Sequence, residues 1–78
     1  MEVTMQVKKL LKVLKNDMSL AEIQEVLNLK NNDYVRLNYV KPALTHKLIA
    51  PLYPDSPNHP QQKYRITEKG RNLLEEWS

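Results

Sequence analysis

Apolar residues Val3, Val7, Leu10, Leu11 and Leu14 recur at intervals of three and four along the first stretch of the chain, and Lys8, Lys12 and Lys15 fall between them. This spacing puts the apolar side chains on one face of a helix and the lysines on the other, so the chain opens with an amphipathic helix that ends at "KND", residues 15–17. In "SLAEIQEVLNL", Ser19 stands three residues ahead of Glu22, the capping-box spacing, and Leu20, Ile23, Val26 and Leu27 supply the apolar face of a second, shorter helix. "LKNN" turns out of it. Asn31 or Asn32 can tolerate a left-handed backbone there and cap the helix that follows, which starts near Asp33 and runs to Leu48.

The third helix contains Pro42, which has no N–H for the carbonyl of Asn38. The helix therefore either bends or breaks and restarts with proline in its first turn. At about 100° per residue, Val35, Tyr39, Val40, Ala43, Leu44 and Leu48 share a broad apolar arc, while Tyr34, Asn38, Lys41 and Thr45 form a narrow polar stripe opposite. Pro42 lies at the margin of the stripe, where a freed carbonyl can face water.

After Leu48 the period changes from helical to alternating. "LIAPLY" and "KYRIT" read as two short strands, with Tyr64 and Ile66 on one face and Arg65 and Thr67 on the other. Pro51 cannot donate to a ladder, so its strand must be an edge, as in a two-stranded hairpin. The intervening "PDSPNHPQQ" is too long for a tight turn and too polar for a core, so it projects. Thr67 then caps "EKGRNLLEEW", whose Leu73, Leu74 and Trp77 can return to the core. The expected fold is α+β: a winged helix-turn-helix of three helices, a wing hairpin and a C-terminal helix, one domain over residues 1–78.

The stretches "YVKPAL" (39–44), "LI" (48–49), "PDSPN" (54–58) and "QKYRITEKGR" (62–71) resemble the winged-helix domain at the C-terminal end of Fic-family proteins and of a group of prokaryotic transcriptional regulators. The likeness spans about residues 27–75 and implies either a DNA-binding module or an appendage that regulates a neighbouring catalytic domain. Two departures stand out. Lys47 occupies the place just before "LI" where the family usually has glycine. The nucleotide-transfer motif of the Fic catalytic domain, which requires a phenylalanine, is missing from a chain that has none.

Composition narrows the choice further. A chain of 78 residues without cysteine has neither disulfides nor thiolate metal sites. No apolar run approaches the roughly 20 residues of a membrane span, and "MEVTMQVKKLLK" lacks the apolar core of a signal peptide, so a cytoplasmic location is expected. The formal charge of +3 is concentrated on residues 1–18 and 30–50, as a polyanion-binding face requires, but it is low for an independent DNA binder. A homodimer or a fused domain would supply further phosphate contacts. His46 and His59 lie in different elements with no nucleophile or metal-ligand spacing around them, so neither catalysis nor a cofactor is expected.

Pro51, Pro54, Pro57 and Pro60 recur every third residue, the period of polyproline II, which suggests a peptide ligand as the alternative to a wing. Pairing of the flanking strands favours the wing. The functional expectation is duplex DNA binding, with helix 33–48 in the major groove and wing 54–63 on the backbone or minor groove. Asn31, Asn32, Tyr34, Asn38, Lys41 and Thr45 would face the groove, Asn38 on a base edge. Asn58 and His59 would lie on the wing, with Lys63 and Arg65 at its base. A protein-interaction or regulatory module is the alternative. A wing loop that orders only on a partner, Asp55 to Gln62, belongs to the same expectation.

Overall fold

The computed structural model describes residues 4–77; Val3, expected on the first helix, lies outside them. Helix α1 (Met5–Val13) begins at Thr4, whose hydroxyl accepts the Val7 N–H at 3.3 Å, and buries Val7, Leu10 and Leu11. Helix α2 (Leu20–Val26) carries both halves of the capping box: Glu22 N–H donates to Ser19 Oγ at 3.2 Å, and Ser19 N–H to Glu22 Oε1 at 3.0 Å. Of its expected apolar face Ile23 is fully buried, but Val26 is 54% exposed. Leu20 and Leu27 pack on the core beside Ile23, so Val26 is the edge of the face left in solvent.

The left-handed residue in the following turn is Asn28 (φ 58°), not Asn31 or Asn32. Asn28 N–H donates to Glu25 O and Leu29 N–H to Gln24 O, each at 3.0 Å, which closes α2 in a Schellman turn. Asn31 keeps its other expected role as the N-cap of α3 (Asn32–Val35), with Oδ1 accepting the N–H groups of Asp33 and Tyr34.

The third helix is neither simply bent nor broken. Helix α3 runs into a π-helical segment (Arg36–Val40), in which Lys41 N–H reaches back to Arg36 O, and then into α4 (Lys41–Thr45), with Pro42 in its first turn. One extra residue in the turn ahead of a proline relieves the crowding that an uninterrupted α-helix would impose. The helix ends at Thr45, short of the expected Leu48. Lys47 (φ 60°) and the bonds Lys47 N–H to Leu44 O and Leu48 N–H to Ala43 O form a second Schellman turn. Lysine thus adopts the left-handed geometry that glycine takes without strain. Relief of that strain, partly offset by a freer unfolded chain, should make Lys47→Gly more stable by about 0.5 kcal/mol. Thermal unfolding should then shift upward by roughly 2–4 °C.

Strands β1 (Ile49–Pro51) and β2 (Tyr64–Ile66) are antiparallel with Ile49 opposite Ile66, Ala50 opposite Arg65 and Pro51 opposite Tyr64. Pro51 sits on the edge strand, as its missing N–H requires. Tyr64 is not at an edge, because Met18, from the α1–α2 connection, exchanges both backbone hydrogen bonds with it at 2.8 and 3.0 Å. Helix α5 (Glu68–Glu76) follows Thr67, whose Oγ1 accepts the Gly70 N–H at 3.1 Å and donates to Lys47 O at 2.7 Å. The core joins α1, α2, the third helix and the start of β1 through Leu10, Leu11, Leu14, Ile23, Val35, Leu48 and Ile49, with Leu73, Leu74 and Trp77 of α5 packed on it. Lys8 stacks its ammonium 5.0 Å from the centroid of Trp77, so one lysine of the polar face serves the α1–α5 junction.

Candidate nucleic-acid interface

The expected polar stripe of the third helix lies in solvent on both sides of the π segment. Tyr34, Asn38, Lys41 and Thr45 are exposed, as are Asn31 and Asn32 at the start, while Val35, Tyr39, Val40 and Ala43 are buried beneath them. Two of the stripe's polar groups are held locally. Asn38 Nδ2 donates to Tyr34 O at 3.1 Å and Thr45 Oγ1 to Lys41 O at 3.0 Å, bonds within one helical turn that a stronger partner can displace. Lys41 has no ion-pair partner among the described residues. Arg36 approaches Asp33 at 3.8 Å, but both groups are largely exposed and such a pair contributes little.

The wing explains the three-residue proline period. Ser56 N–H donates to Tyr53 O at 3.2 Å, His59 N–H to Ser56 O at 2.9 Å and Gln62 N–H to His59 O at 2.9 Å. These are three consecutive four-residue turns sharing corners, and Pro54, Pro57 and Pro60 each take the second position, where a fixed φ near −65° favours the turn. Polyproline II has no internal hydrogen bonds, so the loop is not a polyproline ligand.

Gln62, 8% exposed, ties the turns together. Its Oε1 accepts the Tyr53 N–H at 2.9 Å, and its Nε2 donates to Tyr53 O at 2.8 Å and Ser56 O at 3.1 Å. His59 is half-buried, not an ordinary surface histidine: its ring stacks on Tyr53 with centroids 4.0 Å apart, and its Nδ1 accepts the Gln61 N–H at 3.0 Å. The loop expected to order only on a partner is therefore already built. Its Oε1 also accepts the adjacent Lys63 N–H at 3.2 Å, but no local pattern marks Gln62, since the groups that tie the wing together lie six and nine residues away.

The cations at the base of the wing are the weaker part of the site. Arg65 Nη2 lies 2.9 Å from Asp17 Oδ2, so this guanidinium is engaged with the α1–α2 connection. Lys63 stands near Glu22. Hydrogen bonds from the backbone and side chain of Ser19 hold the Glu22 carboxyl below the usual carboxylate range, and the Lys63 charge adds a smaller push the same way. Asn32, Asn58 and His59 meet with Arg36 around one cavity of about 340 Å³ between the third helix and the wing. Lys41 and Asn58 face a neighbouring one of about 270 Å³. Arg36 and Leu37, which line this seam, were not singled out by sequence.

Three helical elements, an antiparallel hairpin with a turn-built loop and a closing helix make this a winged-helix domain. The chain belongs to the family of C-terminal domains of Fic-like (filamentation induced by cAMP) proteins, whose sequence profile matches residues 5–67. A Fic family protein from Desulfovibrio desulfuricans G20, known from a crystal structure, superimposes with a TM-score of 0.82 at 36% identity over 88% of this chain. The chain spans 22% of the length of that protein. No curated protein matches it. The matched region is the small C-terminal part of Fic proteins and not their catalytic domain. Among the described residues no helix is long and apolar enough to cross a membrane.

Proposed function

We propose that the domain is a DNA-binding module, appended to a Fic-type protein or serving a transcriptional regulator, with the third helix entering the major groove and the wing lying along the backbone. The observation that carries this reading is the solvent-exposed polar side of that helix, on which Asn31, Asn32, Tyr34, Asn38, Lys41 and Thr45 stand over a buried apolar side. Recognition helices read bases with such polar side chains, and asparagine can pair with both edge groups of adenine. A wing already held by Gln62 adds backbone contacts without the entropy of ordering a loop.

The engaged state of Arg65 ranks the cations. Titration of fluorescent duplex DNA at two salt concentrations should show binding that weakens with salt, and Lys41→Ala should reduce the salt slope by about one unit. Arg65→Ala should change it less, because the guanidinium must first leave Asp17. Asp17→Asn should tighten binding by releasing it. Absence of duplex binding even at low salt would refute the reading. A second reading, a protein-interaction module, is favoured by one observation: Leu37, in the middle of the third helix, is 56% exposed.

A further inference from the structure

The geometry points to the seam between the third helix and the wing as a docking groove for a short protein segment that inserts one apolar side chain and carries acidic residues beside it. Leu37, Val40 and Leu44 are three and four residues apart and so share a face, distinct from the polar stripe. Across from them stand Pro57, Asn58 and Tyr64. Burial of that wall is incomplete, since Val40 is 1% exposed and Leu37 56%. A leucine left so open beside Pro57 is an apolar surface with no cover among the described residues.

Size and charge define the occupant. The space of about 270 Å³ is below the range of roughly 300–1,000 Å³ that encloses a drug-sized ligand, so it suits a side chain or two of a peptide. The charged residues lining it are Arg36 and Lys41, both cations, and the adjoining cavity of about 340 Å³ adds no carboxylate. Acids flanking an apolar anchor would pair with them, and the weak Asp33 contact leaves Arg36 able to fork onto a carboxylate. Both walls are preformed, one helical and one made of hydrogen-bonded turns, so little ordering opposes binding. A second copy of the chain is a poor source of the segment. Its own acidic and apolar stretch, "LLEEW", uses Leu73, Leu74 and Trp77 against its core.

Lys41 belongs to both this groove and the polar stripe, so the segment and a duplex would compete for it. The inference does not depend on DNA binding. Selection of random twelve-residue peptides displayed on phage against the 78-residue chain, followed by fluorescence anisotropy with the best peptide, tests it directly. Enriched sequences should combine an apolar residue with at least two nearby acids. Leu37→Asp should weaken the peptide tenfold or more and Lys41→Glu about fivefold, while Lys12→Ala on α1 should leave it unchanged. Far-UV circular dichroism should stay native for all three, because these side chains are exposed. No enrichment, a basic consensus, or affinity indifferent to Leu37→Asp would overturn the inference. A dimer seen by light scattering that Leu37→Asp abolishes would assign the groove to a second copy. Loss of duplex binding in Leu37→Asp without any selected peptide would assign it to nucleic acid. Peptide binding without duplex binding would uphold the inference and refute the DNA reading.

Discussion

Replacing Gly70 by alanine should destabilise the domain by about 3 kcal/mol, although alanine is the better helix former by about 1 kcal/mol. A Cβ at this position would collide with the carbonyl oxygen of Leu48 and stand 2.9 Å from Cγ1 of Ile66. The oxygen cannot move aside. It accepts the Thr67 N–H at 3.0 Å, and Leu48 N–H is itself the closing bond of the Schellman turn at the end of α4. Relief therefore requires α5 to move off the hairpin, which would also loosen Leu73, Leu74 and Trp77 on the core. For a domain of this size 3 kcal/mol corresponds to a fall in the thermal midpoint of more than about 12 °C. Urea and thermal denaturation of Gly70→Ala measure it, and an unchanged or raised midpoint would contradict the close approach of α5 to Leu48.

Gln62→Leu should open the wing. Leucine is close in size but supplies neither the acceptor for the Tyr53 N–H nor the donor for the carbonyls of Tyr53 and Ser56. Each polar group left unpaired in a buried place costs about 1–3 kcal/mol, unless the loop opens and hands the group to water. The wing has that escape because Pro54, Pro57 and Asn58 are already exposed. The loss should thus appear as local unfolding, with exchange of the Ser56, His59 and Gln62 amides accelerated about 100-fold and core amides nearly unaffected. A loss of about 2.8 kcal/mol corresponds to that factor. Hydrogen exchange followed by NMR separates the cases; protected wing amides in Gln62→Leu would show that the proline turns hold without the glutamine.

These two positions mark the limit of what local pattern reveals. The capping box at Ser19, the cap at Thr67 and the apolar arc of the third helix are statements about residues three or four apart, and they read directly from the sequence. The three-residue proline period was visible too, but it fits both a polyproline helix and successive turns. Only the hydrogen bonds of residues 53, 56, 59 and 62 distinguish them. In the candidate interface, the exposed stripe from Tyr34 to Thr45 was legible because helical phase fixes it. The pairing of Arg65 with Asp17 was not, since 48 residues separate them.

The amino-acid sequence by itself determined the order of elements, the faces they present and the winged-helix class, because backbone propensity, capping and amphipathic period act within a turn or two of the chain. Tertiary structure decided the rest. It placed Met18 beside Tyr64, set Gly70 against Leu48 and left Leu37 uncovered beside the wing. Each of those outcomes depends on which distant groups meet when the core closes, where steric fit and the satisfaction of backbone hydrogen bonds outweigh local preference.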